Sequence, residues 1–158
     1  MIIISGTSII TNLIQVGQLE LLEKLFNEII IPQKVSEELL RSSGRENLFE
    51  KYNWINIQEI TNKNLYDQLL KRVDPGEAES IVLAIELKAD LLLIDERKGR
   101  QVAEEYGIVI TGLIGVLINA KEQGFLEKIK PILDKLIYEI GFRISPRLYQ
   151  QVLKMVNE

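Results

Sequence analysis

The sequence predicts an α/β fold, a central and mainly parallel sheet flanked by helices in three layers, with further helices at the C-terminus. Three observations predict it. Short apolar runs recur at Ile2–Ser5, Ile29-Ile30-Ile31, Leu91-Leu92-Leu93-Ile94 and Ile108-Val109-Ile110, as expected of strands covered on both faces. Segments of helical period separate them, and strands alternating with helices imply parallel pairing through right-handed crossovers. With 158 residues, 46% of them hydrophobic, the chain can fill one sizeable core, so residues 1–158 read as a single domain.

Taken in order, the strand at 2–5 runs into a helix carrying Ile9, Ile10, Leu13 and Ile14, with Thr7 or Ser8 placed to cap it. A short helix with Leu19, Leu21, Leu22, Leu25 and Phe26 leads to the strand at 29–31. Pro32 then starts a helix that reaches about Arg41. Ser42-Ser43-Gly44-Arg45 reads as a loop, followed by a short helical piece and an edge strand at Trp54–Gln58. A helix over about 62–72 ends near Asp74-Pro75-Gly76. The next, from Gly76 to about Lys88, puts Ala78, Ile81, Val82, Ile85 and Ala89 on one stripe. The strand at 91–94 precedes a helix over about 97–106, the strand at 108–110 and a helix over about 113–123. Helices near 127–139 and 146–157 close the chain, and about 126–158 forms a helical extension packed on the domain.

Composition narrows the chemistry. The chain has neither Cys nor His, so thiolate and imidazole metal sites, Ser-His-Asp triads and Cys-His pairs cannot be built from it alone. Oxygen ligands remain, and these favour magnesium or manganese. A net charge of −4 argues against wholesale coating of nucleic acid but leaves room for a local basic patch. No apolar run approaches the roughly 20 residues of a membrane span. Ile4 runs straight into Ser5-Gly6-Thr7-Ser8 without the pattern of a secretory signal, so the expected location is cytoplasmic.

In an open parallel sheet, ligands bind outside the carboxyl ends of the strands, which makes acids there candidates. Asp95 closes the run 91–94 with Glu96 beside it; the plain alternative is a cap for the helix that follows. Glu38 leans toward the apolar stripe of its helix, needing a metal or a partner, with a Lys or Arg as the plain alternative. Glu77 and Glu79 occupy the first turn of the helix after Pro75, on opposite edges, where acids also complement the helix dipole. At the end of the first strand, where a carboxylate would complete an acidic pocket, stands Gly6. A turn requiring positive φ would explain a glycine there. Thr7 and Ser8 could hydrogen-bond a metal-bound water or a neighbouring acid.

These residues together resemble the PIN-domain ribonucleases, specifically the toxin-type group that typically opens with a strand and Asp-Thr-Ser. The likeness covers Ile2–Ser8, Ile31-Pro32 through Glu38-Leu39, Gly76-Glu77-Ala78-Glu79, Leu92–Arg97, Thr111-Gly112-Leu113-Ile114-Gly115 and the tail through Gly141-Phe142. It implies the toxin half of a toxin–antitoxin pair, a homodimer whose acids hold Mg²⁺ or Mn²⁺ to cleave RNA. By position those acids are Glu38, one of Glu77 and Glu79, and Asp95. The first aspartate of the pattern falls on Gly6, so the resemblance also implies activity reduced or lost. The alternative is a catalytically inactive PIN-fold module that binds RNA or protein. Arg97, Lys98 and Arg100 follow Asp95 and could line an RNA groove, joined by Arg143 and Arg147 from the tail; an ordinary solvated helix face is the simpler reading of such charges.

Overall fold

A computed structural model describes residues 1–158. Five parallel strands, β1 (Ile3–Ser5), β2 (Ile29–Pro32), β3 (Ile55–Gln58), β4 (Leu91–Leu93) and β5 (Ile110–Thr111), form one sheet in the order β3-β2-β1-β4-β5. β1 is central, with Ile4 in register with Ile30 on one side and Leu92 on the other, and all three of its residues are buried. The chain builds outward from β1 to β3 and then returns to lay β4 on the opposite side of β1. That reversal leaves a crevice beyond the carboxyl ends of β1 and β4, where open parallel sheets receive ligands.

Ten helices connect and cover the strands: α1 (Thr7–Gln15), α2 (Glu20–Phe26), α3 (Gln33–Leu40), α4 (Leu48–Lys51), α5 (Lys63–Leu69), α6 (Pro75–Glu86), α7 (Arg97–Glu105), α8 (Leu113–Glu122), α9 (Lys130–Lys135) and α10 (Pro146–Met155). The twofold alternation of strand side chains divides the core. Ile3 and Leu93 face the larger cluster, which takes Ile9, Leu13, Val35 and Leu39 from α1 and α3, Leu117 from α8, and Leu133 and Val152 from the C-terminal helices. Ile4, Leu92 and Ile94 face the other way, against Leu69 of α5, Ile81 and Val82 of α6 and Val102 of α7. The three-layer α/β architecture follows directly.

The C-terminal helices carry an apolar stripe of Ile129, Leu133, Leu136, Ile137 and Ile140, of which the first three are fully buried in that larger cluster, so much of the stripe is spent on the core. Glu158 ties this region down. Its carboxylate accepts from the Ile129 and Lys130 backbone N–H groups at 2.8 and 2.9 Å and from the Lys121 ammonium at 2.8 Å.

Several boundaries differ from the sequence expectation. β5 holds only Ile110 and Thr111, because Gly107 at φ +74 closes α7 and Ile108 N–H is spent on the Ala103 carbonyl. The helix expected near 127–139 begins at Lys130 and passes into a π turn at Leu136–Ile140, ended by Gly141 in the left-handed region. Neither Thr7 nor Ser8 caps α1: the N-cap is Gly6, with no side-chain cap at all.

Candidate functional site

The acids must be placed one by one, since adjacency in sequence does not decide which way a side chain points. α6 opens on a capping box in which Asp74 accepts from Glu77 N–H at 2.8 Å while the Glu77 carboxyl reaches back to Asp74 N–H. This fixes Glu77 over the crevice. Glu79 points elsewhere, accepting the Lys34 backbone N–H at the start of α3 at 2.8 Å. Glu38 projects from α3 and accepts the Thr7 hydroxyl at 2.8 Å, so its partner is neutral where a Lys or Arg was the simple expectation.

Glu38, Asp74, Glu77 and Glu96 line one pocket of about 320 Å³ with Gly6, Thr7, Ser8, Thr11 and Asn12. No Lys or Arg lines it. Burial first, then the Asp74 carboxylate and more distantly Glu96, push the Glu77 carboxyl up to about 8, and its Oε2 is buried without a hydrogen-bond partner. At pH 7 this group is mostly protonated.

Asp95 leaves β4 in another direction. Its Oδ1 accepts Leu113 N–H at 3.0 Å, so it caps α8 and not, as the sequence alternative had it, α7. Burial raises its carboxyl, while the Leu113 N–H and the Arg100 charge work to lower it, and Oδ2 has no partner. Asp95 and Glu96 instead meet Arg97, Arg100 and Arg143 in a groove of about 900 Å³, whose apolar wall includes Ile114, Ile140, Phe142 and Leu148. Ser8, Asn12 and Glu96 line both cavities, so pocket and groove adjoin. None of the three arginines takes part in an ion pair. Lys98 and Arg147 do not line the groove.

Gly6 sits at φ −79 and ψ 177, extended backbone that any residue adopts, so the explanation by positive φ is overturned. A Cβ there would meet only the Leu93 carbonyl oxygen, at 3.5 Å, an ordinary contact. The position can carry a side chain.

A PIN-domain family model matches residues 2–158. The chain belongs to the PIN-domain family. No curated protein matches it. PIN domains are often metal-dependent nucleases, so the donor set is to be tested against a divalent ion. It does not fit: no three carboxylates gather closely enough to hold one together. Gly6 supplies no ligand, Thr7 engages Glu38, and Asp95 is turned onto the α8 N-terminus. This PIN domain therefore presents an acidic pocket and a basic groove side by side, without a formed metal centre.

Sequence reasoning missed Asp74, Thr11 and Asn12. Asp74 was readable as the first residue of the D-x-x-E capping box ending at Glu77. Thr11 and Asn12 follow Thr7 and Ser8 by one helical turn, which places them on the same face. No local signal separates Asp95 from Glu96 by direction.

Proposed function

We propose that this chain is a PIN-fold module that holds RNA in the arginine groove, and that its nuclease centre is disabled by the missing carboxylate at position 6. The observation that carries the reading is the groove itself. Arg97, Arg100 and Arg143, from two separate parts of the chain, converge outside any ion pair on one surface next to the acidic pocket. Arg97 and Arg143 have no carboxylate held in an ion pair and Arg100 only the nearby charge of Asp95, so their guanidinium groups can bridge phosphate oxygens. The apolar wall with Phe142 offers a face for an unpaired base.

The acids do different work in this reading. Asp95 braces α8 and faces Arg100, and Glu38 and Glu77 line the floor beside Gly6. An active endoribonuclease using Mg²⁺ or Mn²⁺ is the second reading, favoured by the Oε2 of Glu77, which has no hydrogen-bond partner inside the chain. In the finer picture, one unit over 1–158 acts in the cytoplasm, a reading that draws on length and composition, and it is a homodimeric toxin held by an antitoxin, which draws on the resemblance.

One experiment separates these readings. Fluorescence anisotropy with a short single-stranded RNA, calorimetry with Mn²⁺ and a cleavage assay are run on the wild type and on Gly6→Asp. RNA binding without Mn²⁺-dependent cleavage by the wild type, with metal affinity appearing in Gly6→Asp, supports the silenced module. Cleavage by the wild type establishes the nuclease instead, and an absence of RNA binding at low salt ends both.

A further inference from the structure

The ten glycines of the chain fall into distinct groups, with Gly6 in open extended backbone and Gly115 standing against the Thr111 hydroxyl just before its own helix. Gly17, Gly44, Gly107, Gly124 and Gly141 have positive φ and open space around them, so the backbone demands glycine there. Gly76, Gly99 and Gly112 have no such demand, since none has positive φ. At these three a Cβ would press on the end of another side chain, which would have to move from its place. A Cβ on Gly76 would collide with the Glu38 carboxyl group, and one on Gly99 with Glu77 Oε2 and, at 2.7 Å, Ile94 Cδ1. On Gly112 it would lie 2.5 Å from Asp95 Oδ1 and 2.8 Å from Arg100 Nη1.

Each of the three acids singled out in the crevice thus rests against a glycine of a different helix start. Gly76 opens α6, Gly99 lies in the first turn of α7, and Gly112 is the N-cap of α8. Helix propensity argues against the first two, where alanine would ordinarily be better. At an N-cap, serine is preferred over glycine. Local preference and close approach therefore point in opposite directions at all three positions.

We infer that Gly76, Gly99 and Gly112 are positioning residues, each the seat of one carboxyl group, Glu38, Glu77 and Asp95 respectively. The seats fix where the acids lie, and Gly112 also leaves room for the Arg100 guanidinium of the groove. Gly6 has neither a positive φ nor a crowded Cβ position, so the seats surround a place that remains open to a side chain. The effect on RNA rests on the RNA-holding reading; the steric statement stands without it.

Double-mutant cycles test the inference. Gly76→Ala, Gly99→Ala and Gly112→Ser are made alone and combined with Glu38→Ala, Glu77→Ala and Asp95→Ala in every pairing, with Gly6→Ser as a control. Each seat variant is expected to lower Tm by roughly 3–10 °C, the range for overpacking in a chain of this size. Shortening the cognate acid should recover at least half of that loss, and shortening a non-cognate acid should not. Gly6→Ser should stay within about 2 °C of the wild type or exceed it. RNA anisotropy supplies the second readout: Gly112→Ser should weaken binding roughly threefold or more in the wild type, and less when Asp95→Ala is present. Where a seat variant does not fold, folding of its cognate double supports the seat. Seat variants as stable as the wild type, additive doubles, or rescue by any acid indiscriminately would overturn it. If the wild type binds no RNA, the functional reading fails while the Tm cycles still decide the seats.

Discussion

The acidic pocket and the arginine groove share a border and face opposite problems. In the pocket, Glu38, Asp74, Glu77 and Glu96 have no cation among the lining residues, and neutral groups satisfy part of their bonding: the Thr7 hydroxyl and backbone N–H groups. The cost of this arrangement shows in Glu77, which keeps its proton into the neutral range. In the groove, three guanidinium groups form no ion pair; Arg97 and Arg143 are exposed, where water screens their charge, and the half-buried Arg100 has Asp95 near it. The half-buried Glu77 carboxyl is relieved by taking up a proton, whereas exposed charges wait for a counterion. A long polyanion can supply that counterion at the groove, while the pocket has only its own protons and neutral donors.

The largest expected effect breaks the groove. Replacing Arg97, Arg100 and Arg143 together by Ala should weaken single-stranded RNA binding by about 100-fold near 0.1 M salt and reduce the salt slope by about 2, since each lost phosphate contact removes roughly 0.7 from it. Anisotropy titrations at four salt concentrations measure both quantities. Unchanged slope would mean that phosphates bind elsewhere.

A smaller effect isolates the pocket. Glu77 titrates at about 8 in the folded chain against a reference value of 4.5, so the native state holds a proton that the unfolded chain has released between those values. Stability contributed by this group is therefore full below pH 4.5 and is lost as pH rises through about 8. Glu77→Gln removes the ionisation while keeping the size. Its urea midpoint should match the wild type near pH 5 and exceed it at pH 9; parallel profiles would show that Glu77 is not the titrating group.

The smallest effects mark the edges of both regions. Lys98 is exposed and outside the groove lining, so Lys98→Ala should change RNA affinity less than about twofold. Glu79 caps α3 away from the crevice, and Glu79→Gln should cost about 0.5 kcal/mol in urea unfolding with no change in RNA affinity. A larger loss of binding from either variant would redraw the border.

How far the sequence carries is seen by following single residues. The apolar runs at 2–5, 29–31 and 91–94 specified strands of a parallel sheet, because residues covered on both faces must be apolar throughout. Pro32 and Asp74-Pro75 marked helix ends through local backbone chemistry, and the glycine at position 6, where the pattern resembled has an aspartate, was visible from the chain alone. The run 108–110 misled by two residues, since the close of α7 claims Ile108.

Direction and distance were decided only by the fold. Glu77 and Glu79 are equally acidic and two positions apart, but the capping box holds one over the crevice while α3 draws the other away. Asp95 ends its strand as expected, yet it turns to the α8 N-terminus, so of the four acids read as one cluster Glu38 and Glu77 line the pocket, Asp95 lines the groove and Glu79 lines neither. The absence of positive φ at Gly6, and the crowding at Gly76, Gly99 and Gly112, likewise depend on which backbones pass close to one another. Sequence periodicity encodes which face of an element is apolar, an average over many residues; a site depends on a few side-chain positions set by long-range packing.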